Sequence, residues 1–171
     1  RRATIRKALW ILGMCFLGNA LGGLLMALLL KFSSLGQGGL GEQMNLAVEH
    51  KLSYVSEGAA GMGDLFVRAI LCNFMINLAM LLVYNGLIKD DLTKCLVMIV
   101  SVFIFAFVGF EHSVANTVVF TIVGLSGGID VGLALGNVGI ALLGNFVGGG
   151  LLIGLYYAYV NDDGKFRQHE E

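Results

Sequence analysis

Gly109-Phe110-Glu111-His112-Ser113-Val114-Ala115-Asn116 is the one polar cluster in a stretch, residues 95–129, whose only formally charged side chain is Glu111. As one helix the 35 residues of that stretch would run roughly 50 Å, against a hydrocarbon core of about 30 Å. The stretch must therefore be interrupted. The cluster is opened by a helix-breaking glycine and flanked on both sides by β-branched and aromatic residues, so two half-helices joined by irregular backbone near 109–116 are expected. A plain extramembrane loop fails on length, because residues 95–108 supply only 14 residues, about 21 Å of helix.

Working outward, the remaining sequence reads as bilayer-embedded. Residues 8–30, 69–88 and 131–161 carry no charge, and each is long enough for a crossing, which takes about 20 helical residues. The 171 residues are 57% hydrophobic and 13% charged with a net charge of −1, where soluble domains average near 45–50% apolar and 25% charged. That composition excludes an ordinary soluble domain, and it has neither the polar excess of a disordered chain nor the basic excess of a nucleic-acid binder. The expected architecture is all-α: a single polytopic transmembrane domain over residues 1–171, with four spans, one of them broken. Cys15, Cys72 and Cys95 all lie in apolar runs and form no CxxC, which indicates packing residues rather than a disulfide framework or metal site. No cofactor is implied.

The sequence Arg1-Arg2 and Arg6-Lys7 precedes a run of 23 uncharged residues, longer than the ~7–15 residues of a signal-peptide core. With the first span leaving the cytoplasm, the inner side holds Arg1, Arg2, Arg6, Lys7, Lys89, Lys94, Lys165 and Arg167, and the outer side Lys31, Lys51 and Arg68. Eight against three obeys the positive-inside rule, and four spans return the C-terminus to the cytoplasm. Residues 31–63, rich in Gly, Ser and Glu, read as a loop holding a helical turn or two.

Gly18-Asn19-Ala20-Leu21-Gly22-Gly23 in the first span recurs as Gly144-Asn145-Phe146-Val147-Gly148-Gly149 in the last. Each copy has small-xxx-small spacing, Gly18/Gly22 and Gly144/Gly148, suited to close helix packing with Asn19 or Asn145 beside the contact. Such a pair fits an inverted repeat, in which the same helix closes each half of a transporter. The last three spans then form one unit, and the first span ends another whose opening two spans lie outside this sequence. The expectation is four of six spans.

An ionisable residue at membrane depth costs at least ~2.5–3.5 kcal/mol and marks function by default. A carboxylate beside a freed half-helix N-terminus can accept backbone N–H bonds, so Glu111, with Gly109 and Ser113, is expected to hold the break together. His112 can donate a hydrogen bond to an anion or pass a proton, and no Lys or Arg adjoins it in sequence. Phe105, two helical turns earlier on the same face, suits an apolar constriction. A membrane-embedded enzyme using Glu111 and His112 would need more, and His50, His112 and His169 are too scattered to supply it. A water or glycerol channel would need an Asn-Pro-Ala motif, and the chain has no proline.

The Gly-Phe-Glu-His-Ser-Val-Ala-Asn motif resembles that of the formate/nitrite transporter family, where it breaks the fifth helix. Leu71-Cys72-Asn73 is similar to the family's cysteine-asparagine signature on helix four, and the Gly-Asn-x-x-Gly-Gly pair matches helices three and six. The sequence departs at Phe74-Met75-Ile76, where Trp-Leu-Val is common, and at Thr117 in place of Met. The resemblance implies an aquaporin-like inverted-repeat bundle, a homopentamer with one pore per protomer in the cell membrane, and conduction of small monovalent acids: formate first, nitrite or hydrosulfide as alternatives. It carries the pore histidine onto His112, the constriction onto Phe105, polar pore partners onto Asn73 and Asn116, and a vestibule lysine onto Lys51. The family's other broken helix would lie outside this sequence.

Overall fold

A computed structural model describes residues 4–161, and no strand occurs among them. Arg1, Arg2, Lys165 and Arg167, on which part of the charge asymmetry rests, and the tail that would mark the C-terminal side lie outside the described residues. The helices are α1 (Ile5–Lys31), α2 (Gly39–Ser56), α3 (Ala59–Tyr84), α4 (Asp91–Val108), α5 (Ser113–Gly127) and α6 (Val131–Val160). Four of them, α1, α3, α4 and α6, have the length and composition to cross a membrane, and α5 is a shorter apolar helix. This is an all-α polytopic membrane architecture.

Three boundaries differ from the sequence reading. The second span starts at Ala59, ten residues before the uncharged run, because its first turns carry Asp64 and Arg68 as an i,i+4 ion pair (Nε to Oδ2, 2.9 Å). The segment read as a loop contains the 18-residue α2. The break is confined to residues 109–112, since Ser113 to Asn116 already belong to α5.

The chain forms two compact units. The first comprises the residues up to Met62 together with Ser113–Gly139. In it α1 lies along α5, with Ala27 fully buried and Gly23 against Val118, where an added Cβ would stand 3.0 Å from Cγ2. Val48 of α2 packs into a core with Phe120, Val123 and Ala134, ringed by Met44, Leu52, Val119, Ile129 and Val138. Along α5 the hydroxyls of Thr117, Thr121 and Ser126 donate to carbonyls four residues earlier at 2.7–2.9 Å, which satisfies them where water is absent.

The second unit comprises Gly63–His112 and the residues from Ile140 onward. Here α6 meets α3 backbone to backbone. A Cβ at Gly144 would stand 2.6 Å from the Phe66 carbonyl, and one at Gly148 would collide with the Ile70 carbonyl. Only glycine allows so close an approach. Just there α6 changes winding, with Phe146–Leu155 a π-helical stretch between α-helical ends. Helix α4 starts on Asp90, whose carboxylate accepts from the Thr93 amide (2.8 Å) and hydroxyl (2.7 Å). Those hydrogen bonds, the hydroxyl's first, hold the Asp90 carboxyl below the usual carboxylate range.

Candidate functional site

The end of α4 is built by Gly109. Its φ of 73° and ψ of 41° place it in the left-handed region, which glycine enters without the steric cost a Cβ brings. From there the Gly109 amide donates to the Ala106 carbonyl (3.3 Å) and the Phe110 amide to the Phe105 carbonyl (2.9 Å). This is the Schellman pattern that closes a helix C-terminus. The Phe105 backbone is thereby tied to the break, and its side chain is half-buried. Four residues, Gly109 to His112, make the interruption, with Glu111 buried at 2% exposure and His112 half-buried.

Two side chains from other helices of the same unit hold this backbone. Asn145 of α6, buried at 4% exposure, donates through Nδ2 to the Glu111 carbonyl (3.0 Å) and to the Ala69 carbonyl of α3 (2.9 Å). Its own carbonyl accepts from Asn73 Nδ2 at 3.1 Å. Asn73, Asn145 and the break thus form one connected polar cluster. The other is Arg68, whose Nη1 donates to the Val108 (3.4 Å) and Gly109 (3.3 Å) carbonyls. The sequence places no cation beside His112; the fold brings a guanidinium to the carbonyls three and four residues before it.

In the first unit Asn116, 1% exposed, donates to Asn137 Oδ1 (2.8 Å), and Asn137, fully buried, donates in turn to the Lys51 carbonyl (2.8 Å). Lys51 itself is half-buried on α2, and Ser113 is buried at the start of α5. Of the residues singled out in the sequence, His112, Phe105, Asn73, Gly109, Glu111, Gly144, Asn145 and Gly148 fall in the second unit. Asn116, Lys51, Ser113, Gly18, Asn19 and Gly22 fall in the first. Gly18 and Gly22 are exposed with nothing within 4 Å of an added Cβ, and Asn19 turns its amide back onto the Cys15 carbonyl at 2.8 Å. The two copies of the repeat therefore have unlike surroundings among the described residues.

Arg68 and Asn137 were not anticipated. Each left a trace: Asp64 and Arg68 stand at i,i+4 spacing at the edge of an apolar run, and Asn137 is one of the two asparagines, with Asn145, in the body of the last span. Among the described residues no group of three His, Cys, Asp or Glu side chains is placed to hold a metal ion.

A helix broken within its apolar run, with buried Asn, Glu and a His at the gap, defines a polytopic membrane protein of the transporter and channel class. The family model for formate/nitrite transporters matches residues 1–159, and the chain belongs to that family. It is 28% identical over 166 residues to the uncharacterized transporter YwcJ of Bacillus subtilis, covering 95% of this chain and 62% of that relative. It is 34% identical over 110 residues to the formate channel FocA of Haemophilus influenzae, covering 63% of this chain and 35% of the relative. With the formate channel FocA of Escherichia coli the identity is 29% over 165 residues, 83% of this chain and 55% of that protein. The chain thus spans about a third to three fifths of the length of these relatives.

Proposed function

We propose that this chain forms the C-terminal four of the six spans of a channel for small monovalent anions, with formate the first substrate and nitrite or hydrosulfide the alternatives. The observation that carries this is the break at residues 109–112, with His112 in it, in a member of the formate/nitrite transporter family. Formate comes first because two of the relatives are formate channels.

The route is proton-linked and gated at His112. A bare anion in a dry constriction costs several kcal/mol even after protein relaxation. Protonating a carboxylic acid of pKa ~4 at pH 7 spans about 3 units at ~1.36 kcal/mol each, roughly 4 kcal/mol. The neutral route is therefore competitive. In this reading Lys51 and helix dipoles draw the anion into a vestibule, a proton reaches it at or through water near His112, and the neutral acid passes the Phe105 constriction. Asn73 and Asn116 supply polar contacts, five protomers assemble in the cell membrane, and the C-terminus is cytoplasmic.

The test is pH-dependent flux of formate, nitrite and hydrosulfide into liposomes carrying the complete protein beside its His112→Phe variant. Flux of at least one acid that falls in the variant and loses its pH dependence is expected. Equal flux with an equal pH profile in the two proteins would overturn the histidine's role. Failure of the unaltered protein to pass any of the three would overturn the choice of substrate.

A further inference from the structure

Helix α4 ends at the break with its last carbonyls turned toward the gap, and such an end carries roughly half an elementary negative charge. That end is a poor neighbour for an approaching anion. The guanidinium of Arg68, 3.3–3.4 Å from the Val108 and Gly109 carbonyl oxygens, offsets it. Its Nε is held at the same time by Asp64 Oδ2 at 2.9 Å, one helical turn back on α3. An added Cβ at Gly109 would lie 3.6 Å from Arg68 Nη1, an ordinary contact, so it is the left-handed φ of 73° that asks for glycine here, not the space beside the guanidinium. His112 follows Gly109 by three residues, within about 10 Å along an extended chain.

Resting on the channel reading above, we infer that Arg68 is a selectivity-setting residue: its charge cancels the α4 dipole at the break and sets how strongly an anion is held there, with Asp64 attenuating it. Arginine suits the task because one planar fork meets a carboxylate with one edge and helix carbonyls with another while remaining charged. The Asp64 and Arg68 side chains keep 49% and 32% of their surface, so solvent screens the pair and the attenuation is partial.

The experiment measures half-saturating formate concentration and maximal flux in liposomes for the complete protein and three variants. Arg68→Gln is expected to raise the half-saturating concentration about two- to fivefold, the range of one partly exposed charge at a helix terminus. Arg68→Lys, which keeps the charge, stays closer to the unaltered protein than Arg68→Gln does, and Asp64→Asn lowers the half-saturating concentration. The opposite signs for Gln and Asn are what a merely structural tie cannot produce, since both substitutions break the same ion pair. An assembled Arg68→Gln protein with unshifted half-saturation overturns the assignment, and so do shifts of the same sign in Arg68→Gln and Asp64→Asn. Where Arg68→Gln does not assemble, Asp64→Asn decides alone, because it keeps the guanidinium and both carbonyls; a lowered value supports the assignment and an unchanged or raised one overturns it. An unaltered protein that passes no anion overturns the channel reading and this assignment together, whereas a conducting protein with unresponsive variants overturns this assignment only.

Discussion

Asn145 and Glu111 are joined by a hydrogen bond of 3.0 Å in which the side-chain amide of one donates to the main-chain carbonyl of the other. The Glu111 carbonyl belongs to the irregular backbone between α4 and α5. The same amide reaches the Ala69 carbonyl at 2.9 Å, so one side chain closes two main-chain acceptors on two segments. The break is consequently a fixed structure rather than a slack joint, which is what a histidine one residue further on requires if it is to meet a solute in one geometry.

Replacing Asn145 by Ala leaves both carbonyls without that donor at a buried site. An unsatisfied buried group costs about 1–3 kcal/mol, and Asn145→Ala should lower the thermal midpoint in detergent by several degrees. Asn145→Asp, whose carboxylate can only accept and so donates to neither carbonyl at neutral pH, should do the same. A midpoint unchanged in both variants would show that the amide does not hold the break.

How much of this was legible beforehand differs from element to element. The break itself could be read from length, because no bilayer accommodates a 35-residue apolar helix and the only polar cluster lies in its middle. Its limits could not, since Ser113 to Asn116 are polar yet helical and only the Gly109 dihedrals show where winding stops. Helix α2 was hidden by composition: Gly, Ser and Glu suggested a loop, although Gly41, Met44, Val48, Leu52 and Val55 recur at spacings of three and four, the stripe of an amphipathic helix. That stripe is what enters the first unit's core, through Val48 with Met44 and Leu52 at its rim. Arg68 lay beyond sequence reasoning for another reason. Its contacts to Val108 and Gly109 span 40 and 41 residues, and no local pattern encodes a contact at that separation.

Gly109 offers a graded test of the helix stop. With φ at 73°, any residue with a Cβ incurs left-handed strain of roughly 1–2 kcal/mol, and Asn bears it best of the non-glycine residues. Stability in detergent should fall in the order Gly, Asn, Ala, Val at this position. An Ala variant as stable as Gly would mean that the backbone leaves the left-handed region without loss, and the Schellman closure of α4 would lose its importance.

The contact of α6 with α3 predicts a contrast between two glycines. Gly148→Ala drives a methyl group into the Ile70 carbonyl, and backbone cannot yield as a side chain tip can, so a loss of about 1–3 kcal/mol or failure to assemble is expected. Gly63→Ala, with open space around its Cβ and an exposed position on α3, should be neutral or stabilising by up to about 1 kcal/mol through helix propensity. Measuring assembled protein by size exclusion and its midpoint by thermal unfolding separates the two, and equal behaviour would contradict the backbone contact.

Asn116, Asn137 and the Lys51 carbonyl form a relay of two hydrogen bonds, each 2.8 Å, in which Asn137 accepts from one neighbour and donates to the other. Within this relay, removing Asn116 takes away the first bond, whereas removing Asn137 breaks both and leaves the Asn116 amide without this acceptor at a site 1% exposed. Asn137→Ala should therefore cost more than Asn116→Ala, each within the range of about 1–3 kcal/mol for a buried unsatisfied group. Once Asn137 is gone the first bond no longer exists, so the double variant should be less destabilised than the sum of the two by about 0.5–3 kcal/mol. Additive losses in a double-mutant cycle of unfolding free energies would mean that the two amides do not act as one network. The same variants separate structure from passage of solute: if Asn116 serves only this relay, Asn116→Ala lowers the amount of assembled protein while flux per assembled protein stays level, and if its amide also meets the solute, flux per assembled protein falls as well.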